Sequence, residues 1–361
     1  MKNQRFFNCK FVPETQIRRL RKGMVTNMTK QLILRVTNRC NLACKYCYAY
    51  DPADGGGDMQ KETAINAIRL LAEPEDRLMI QLTGGEPLLC MELLRDIAAY
   101  TEKSGIRAAL SLQTNGTLLT PEVCILLKQL QCAVGVSLDG IGDANGLRVY
   151  ENGHEAFSDT VEGIRNLGDA GLFCNINAVV SRRNQSRLGE LVELAGLLGN
   201  VKGVGLDMFR PLGRGEKEDC APDKDTLSKD LEAMLQKQEE LSALGISVRI
   251  KEMEKVRIML GTGVRENCYC YAQTGKSFAV DPKGDIYPCS SFVGREDMCM
   301  GNVAEGIKTY PVIPGPDESC GVCGYAEICR GGCPAGRMAC GGRNETDCMM
   351  HRTIIEYAQE V

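Results

Sequence analysis

The sequence predicts an α/β protein built on a parallel sheet, followed by a cysteine-rich segment that depends on metal. Three observations carry this reading. Between residues 31 and 212, six short apolar runs alternate with amphipathic segments, the pattern of strands buried on both faces and joined by helices. Nineteen cysteines are present, and ten of them fall after residue 260. Only two histidines occur, His154 and His351, so bound metal would be held through sulfur, which suits zinc or iron–sulfur clusters.

The strands read in order as LILRVT (32–37), LMIQLT (78–83), ALSLQT (109–114), AVGVSL (133–138), FCNINAVV (173–180) and VGLDMF (204–209). Between them lie the amphipathic segments KETAINAIRLLA, MELLRDIAAYTEKSG, PEVCILLKQLQ, AFSDTVEGIRNLGDAG and SRLGELVELAGLLG. Periodicity leaves a doubly wound sheet and a barrel both open. Either fold puts its chemistry at the C-terminal ends of the strands, where RCNLAC, GGEP, NGT and DG all lie. A long charged helix at 223–244 bridges to the tail, in which one hairpin, KSFAVDPKGDIYP, stands among cysteines and glycines. Having little apolar material, the tail needs metal to fold. The domain reading is therefore an N-terminal extension (1–30), an α/β body (31–215), a bridging helical segment (216–260) and a cysteine-rich domain (261–361).

Composition narrows the function. Apolar content of 43% and charge of 25% belong to a soluble globular chain. A net charge of −4 argues against a nucleic-acid groove. The N-terminus has no apolar signal region and no stretch approaches the ~18 residues of a membrane span, so the expected location is the cytoplasm. That reducing compartment disfavours disulfides and returns the cysteines to metal. With two histidines, a Ser–His or Cys–His relay is a poor candidate.

Residues 39–50, RCNLACKYCYAY, place Cys40, Cys44 and Cys47 on one loop after the first strand. A structural zinc site needs a fourth ligand, and a cubane cluster ordinarily takes four cysteines. Three thiolates alone imply an iron left open to something that is not protein. One βα unit later comes LTGGEPLL. Gly84 and Gly85 allow main chain to approach closely, in this reading toward a small molecule's amino group, and Glu86 can balance local positive charge.

Together these motifs resemble the radical S-adenosylmethionine (radical SAM) superfamily, whose cluster loop has this spacing with an aromatic before the last cysteine, as Tyr46 is here. The resemblance implies a partial (β/α)6 TIM-like barrel. It also implies a [4Fe–4S] cluster on Cys40, Cys44 and Cys47 whose open iron is chelated by S-adenosylmethionine. One electron then cleaves the sulfonium to give a 5′-deoxyadenosyl radical. The likeness extends to QTNGTLLT, carrying Gln113 and Asn115, and to VSLDG, carrying Ser137 and Asp139. Arg148 falls where relatives place an arginine near the co-substrate's carboxylate. For Ser137 and Asp139 the alternative is a strand-end turn with its own hydrogen bonds. Cys90, Cys124, Cys132 and Cys174 read as small buried hydrophobes, and Cys9 and Cys220 stay unassigned.

The tail resembles the SPASM extension, an auxiliary domain for two further [4Fe–4S] clusters. Its pattern runs from Cys270 through Gly284 to Cys289, then Cys320, Cys323, Cys329 and Cys333, with Cys348 closing. The resemblance implies an outer cluster on Cys320, Cys323, Cys329 and Cys348, and an inner one on Cys270, Cys289 and Cys333. The inner fourth ligand is Cys268, Cys299 or none. A zinc ribbon is the alternative for 320–333. Three clusters and S-adenosylmethionine are thus the expected cofactors.

Relatives of this type mostly modify peptides or proteins, including ribosomal-peptide maturases, so the expected activity is oxidative modification of a peptide or protein, such as a thioether crosslink. Sulfatase-maturing relatives carry an aspartate after the cysteine of the YPC motif. Ser290 stands there, which counts against that activity, and no catalytic base is assigned. Residues 1–30 are too few for the leader-binding domain of many crosslinking relatives, so leader recognition would fall to a separate protein. An electron donor such as flavodoxin or ferredoxin is expected. The other readings are a small-molecule dehydrogenase acting on a sugar or tetrapyrrole and, from another class, a multi-cluster electron carrier.

Overall fold

A computed structural model describes residues 29–49, 57–263 and 268–360; Cys9 lies outside them. In chain order the body comprises β1 (Thr29–Thr37), α1 (Lys61–Leu71), β2 (Arg77–Gly84), α2 (Met91–Ser104), β3 (Ala108–Thr114), α3 (Pro121–Gln129), β4 (Ala133–Ser137), α4 (Phe157–Asp169), β5 (Cys174–Val180), α5 (Leu188–Leu198) and β6 (Val201–Met208). It continues through α6 (Lys224–Ala243), β7 (Arg249–Ile250) and α7 (Lys251–Thr262). All six expected strands and the helices between them are present.

Local chemistry explains the boundaries. Thr120 accepts a hydrogen bond from the Val123 amide and Pro121 opens α3, a favoured start. Gly105, at φ 68°, closes α2. Asp223 caps α6 through the Asp225 amide. Helix α1 buries Ala64, Ala67, Ile68 and Leu71, the one-sided stripe of a helix laid on a sheet.

Strand order decides what periodicity could not. From β1 to β7 every neighbour is parallel and adjacent in sequence. A doubly wound sheet reverses its order at a switch point; this one does not, which is barrel topology. The sheet stays open, with β7 at one edge, so the barrel is partial.

The tail contains β8 (Ser277–Val280), β9 (Asp285–Tyr287), β10 (Gly301–Asn302), β11 (Gly306–Ile307), α8 (Ala326–Cys329), α9 (Pro334–Ala339) and α10 (Glu345–Glu360). The expected hairpin forms between β8 and β9. Strand β8 also pairs parallel with β1, from Gln31↔Ser277 to Leu34↔Val280, so the tail extends the body's own sheet to eleven strands. Its scarce apolar residues, among them Phe278, Val280, Ile286 and Ile354, are buried in the common core. Helix α10 rests on α6, with Thr353 Oγ1 3.0 Å from Ser228 Oγ and the Tyr357 hydroxyl donating to Glu239.

Arg337 organises the cysteine-rich turns. Its buried guanidinium donates to the carbonyls of Gly332 (2.9 Å), Pro314 (2.9 Å) and Gly315 (2.8 Å), and to that of Gly331. Arg337→Leu would leave these acceptors unpaired, at a cost of about 1–3 kcal/mol for each one that stays buried. Arg337→Lys keeps the charge but not the planar fork. Both variants should melt at lower temperature than the parent; an unchanged thermal midpoint for Arg337→Leu would remove this role.

Candidate active site

At the C-terminal ends of the strands lies a cavity of ≈590 Å³, walled by the loop after β1, the ends of β2 to β6, one face of α7 and parts of the tail. Cys40, Cys44 and Cys47 line one end. Their loop has little regular structure and is tied down by neighbours: the Ala43 amide donates to Val149 O (2.6 Å), Lys45 N to Leu147 O (2.9 Å) and Arg214 N to Cys47 O (3.0 Å). Asn115 Nδ2 donates to Asn41 Oδ1 at 2.8 Å and lies 3.9 Å from Cys40 Sγ.

Burial pushes the Cys40 thiol up to about 12, against one opposing hydrogen bond from the Leu42 amide. Burial also raises Cys44, although Arg148 and Arg214 pull it down. Such thiols ionise only when a cationic group arrives to compensate, as a metal centre does. The donors are soft sulfur throughout. Among the described residues no three His, Cys, Asp or Glu side chains are grouped to hold one metal ion. Three sulfur donors on one loop suit an iron–sulfur cluster.

Gly84 and Gly85 line the cavity, and their space is spoken for by protein. Gly84 sits at φ 137°, and a Cβ there would stand 2.2 Å from the Thr37 carbonyl oxygen; one at Gly85 would stand 2.0 Å from that of Arg39. Gly85 N donates to Thr37 O (2.7 Å) and Glu86 N to Arg39 O (2.8 Å). The glycines therefore let the end of β2 run against the chain entering the cysteine loop. Glu86 is fully buried and does not line the cavity. Its carboxylate accepts from Leu88 N (3.1 Å), Thr114 Oγ1 (2.7 Å) and Asn115 N (2.8 Å), welding β2 to β3. Burial raises its pKa and these donors oppose the rise.

Across the floor, Gln113 Nε2 donates to Ser137 Oγ (2.9 Å) and Asn177 Nδ2 to Gln113 Oε1 (2.6 Å). The chain of amides passes over Gly135, where a Cβ would lie 2.5 Å from Gln113 Oε1. Asn177 lines the cavity and was not anticipated; a polar residue inside the apolar run FCNINAVV was its only trace. Asp139 sits off the cavity wall, 2% exposed. It accepts from the Tyr46 hydroxyl and from Val179 N at 3.0 Å. Tyr46 in turn accepts from Arg148 Nη1 at 2.6 Å. So Asp139 reaches the site through Tyr46 and Arg148. Burial raises Asp139 and Tyr46. Burial works against the Arg148 cation, yet Tyr46, Cys44 and Asp139 hold its pKa above the usual arginine value. Arg148 lines the cavity, and its Nε is buried without a hydrogen-bond partner.

The rest of the wall, its two tail cysteines excepted, escaped sequence reasoning. Helix α7 contributes Lys251, Glu252 and Lys255, and the tail contributes Tyr269, Cys270, Cys329 and His351. Glu252 Oε2 accepts from Leu206 N (3.1 Å), and burial raises its pKa. Lys255 Nζ donates to Tyr269 O (3.2 Å).

In the tail, Cys320, Cys323, Cys329 and Cys348 line one small cavity of ≈30 Å³ together with Arg337, Arg343 and Arg352. Cys289 is pushed up to about 11 by burial, with Cys333 and Cys270 close enough to add to the effect. The two expected groups are thus each brought together. Cys299 packs against the same apolar cluster as Cys289 and Cys333, with its Sγ 3.6 Å from Gly301 O; Cys268 directly precedes the cavity residues Tyr269 and Cys270. Cys124, Cys132 and Cys174 are buried hydrophobes as expected, while Cys90 is half-buried beside Asp58, Thr37 and Arg39. Cys220 is buried against Phe209 and Tyr46.

No helix among the described residues is long and apolar enough to cross a membrane. The family model described as "Radical SAM superfamily" matches residues 34–195. The uncharacterized protein MJ0907 of Methanocaldococcus jannaschii is 35% identical over 288 residues, covering 79% of this chain and 92% of that protein. The AdoMet-dependent heme synthase of Methanosarcina barkeri is 28% identical over 339 residues (85% and 92%). Mycofactocin maturase MftC of Mycobacterium tuberculosis is 27% identical over 338 residues (86% and 79%). Among solved structures, native anSMEcpe with bound AdoMet superposes with a TM-score of 0.76 at 22% identity, covering 92% of this chain and 97% of that one. Streptococcus suis SuiB bound to precursor peptide SuiA gives 0.66 at 15% identity (92% and 79%); these two likenesses concern the fold. Sequential parallel strands, a three-cysteine loop at their C-terminal ends and this set of relatives lead to one conclusion: the chain belongs to the radical SAM superfamily.

Proposed function

We propose that this radical SAM enzyme oxidatively modifies a peptide or protein, forming a crosslink such as a thioether or oxidising a side chain. The observation that supports it is the shared cavity, with Cys40, Cys44 and Cys47 at one end and Cys270 and Cys329 on the tail side. A plain electron carrier needs no such chamber. When bound, a [4Fe–4S] cluster on the first three cysteines, together with S-adenosylmethionine, supplies a 5′-deoxyadenosyl radical. Around that site Arg148 offers its unpaired Nε to a carboxylate, and Gln113, Ser137 and Asn177 offer an amide and hydroxyl row for a sugar. Tyr46 and Asp139 hold Arg148 in place. Glu252, Lys255 and His351 face the substrate side. The two tail groups would hold further [4Fe–4S] clusters suited to accept one electron, and a flavodoxin or ferredoxin would serve as reductant. Ser290 follows Cys289 directly, so formylglycine formation is not part of this reading.

A second reading, oxidation of a tetrapyrrole side chain, rests on the heme synthase relative and on Lys251 and Lys255 in the wall, which suit carboxylate substituents. The test incubates the reduced, reconstituted protein with S-adenosylmethionine and either a candidate peptide encoded beside the gene or iron coproporphyrin. We expect 5′-deoxyadenosine and loss of two hydrogen atoms from the peptide. Cys289→Ala should still cleave S-adenosylmethionine while leaving the peptide unmodified. A modified porphyrin with untouched peptide would establish the second reading, and no 5′-deoxyadenosine from fully loaded protein would end both.

A further inference from the structure

Arg210 occupies a position that no part of the reaction so far explains. It stands just beyond the end of β6, its side chain only 13% exposed. The guanidinium pairs with Asp207, and its Nη1 lies 3.4 Å from Ser291 Oγ, two residues after Cys289. Its Cζ is 5.9 Å from the Tyr48 ring centroid, next to Cys47. A Cβ on Gly336 would lie 3.7 Å from Arg210 Nε and 3.6 Å from the Cys333 Cβ. One cation therefore touches the neighbours of Cys47, Cys289 and Cys333 at once. The segment that carries it also holds the first cysteine loop, through the Arg214 amide and the Cys47 carbonyl (3.0 Å).

The charges around it are unequal. Asp207 faces it from the end of β6, and Asp347, which accepts from the Cys333 amide at 2.9 Å, also lies within electrostatic reach of it. An iron–sulfur cluster gains one negative charge on reduction with no bond made or broken. A fixed cation beside it therefore favours the reduced form, and net charge and hydrogen bonding are among the factors that set such potentials.

We propose that Arg210 is a positioning residue that raises the reduction potential of the inner tail cluster on Cys289 and Cys333, biasing that cluster toward accepting an electron from the cavity. The proposal rests on the reading of the tail as an iron–sulfur domain. Its test is a mediated redox titration followed by electron paramagnetic resonance on the full-length reconstituted chain. Cys40, Cys44 and Cys47 are replaced by alanine in that chain, so only tail iron contributes. Arg210→Gln should lower the potential of one of the two tail signals, changing its reduced-to-oxidised ratio at fixed potential at least tenfold, about 59 mV for a one-electron couple. The other signal, from Cys320, Cys323, Cys329 and Cys348, should not move. Arg210→Lys should restore most of the parent value, and Asp207→Asn should shift the same signal upward. Should Arg210→Gln lose iron, Asp207→Asn and Arg210→Lys decide. Full tail iron with Asp207→Asn and every Arg210 variant titrating with the parent overturns the proposal. A tail without iron in the parent overturns instead the iron–sulfur reading beneath it.

Discussion

Replacing Cys40, Cys44 and Cys47 together by alanine will remove about four iron atoms per chain and abolish S-adenosylmethionine cleavage. The fold should survive the change. The loop is anchored through the backbone amides of Ala43, Lys45 and Arg214, none of which depends on sulfur, and the thiols sit at the edge of the cavity, outside the main apolar core. Circular dichroism should match the parent. The tail, whose cysteines are elsewhere, should retain about eight iron atoms, so a variant holding roughly two-thirds of the parent iron is the expected product. Persistent 5′-deoxyadenosine formation would mean that the catalytic loop has been misassigned.

Gly85→Ala should be nearly as damaging without touching a ligand. The new methyl would lie 2.0 Å from the Arg39 carbonyl oxygen and 3.1 Å from the Asn38 carbonyl carbon. Neither is the movable end of a side chain, so backbone must shift. The part that can yield is the entry to the cysteine loop, because β2 is pinned through Glu86 to Thr114 and Asn115. Misplacement of a reacting group by about 1 Å can cost a hundredfold in rate. We expect at least that loss in S-adenosylmethionine cleavage, with depleted iron and a modest fall in thermal midpoint. Cleavage at the parent rate would show that residues 84–86 do not hold the loop.

The body of the fold was legible because each strand and helix carries its own local pattern. Periodicity could not choose between barrel and doubly wound sheet, since strand order is a property of pairing and no single segment records it; the resemblance implied the partial barrel, and the strand order agrees. Spacing marked the cysteines as metal ligands, and their division into an outer and an inner group came from the resemblance to the SPASM extension. Glu86 and Asp139 were legible as strand-end carboxylates, but not their partners: such a group can turn inward when amides and hydroxyls are there to receive it, and those donors lie on other strands. The α7 wall was missed because Lys251, Glu252 and Lys255 look like any solvated helix face until the tail folds over them. Asn177 shows the same limit, since the partner that gives it meaning, Gln113, lies two strands away.

The pairing of β8 with β1 has a consequence for how the chain is made. Gln31 and Ser277 are register partners far apart in the sequence, with Gln31 N donating to the Lys276 carbonyl at 2.8 Å, and contacts of such separation form late. Until the ribosome has released the tail, β1 presents a long apolar edge ready to pair with another chain. A truncation before residue 277 should therefore aggregate rather than yield a free barrel. Because β1 leads straight into the loop bearing Cys40, a settled first cysteine site awaits the arrival of the last quarter of the polypeptide.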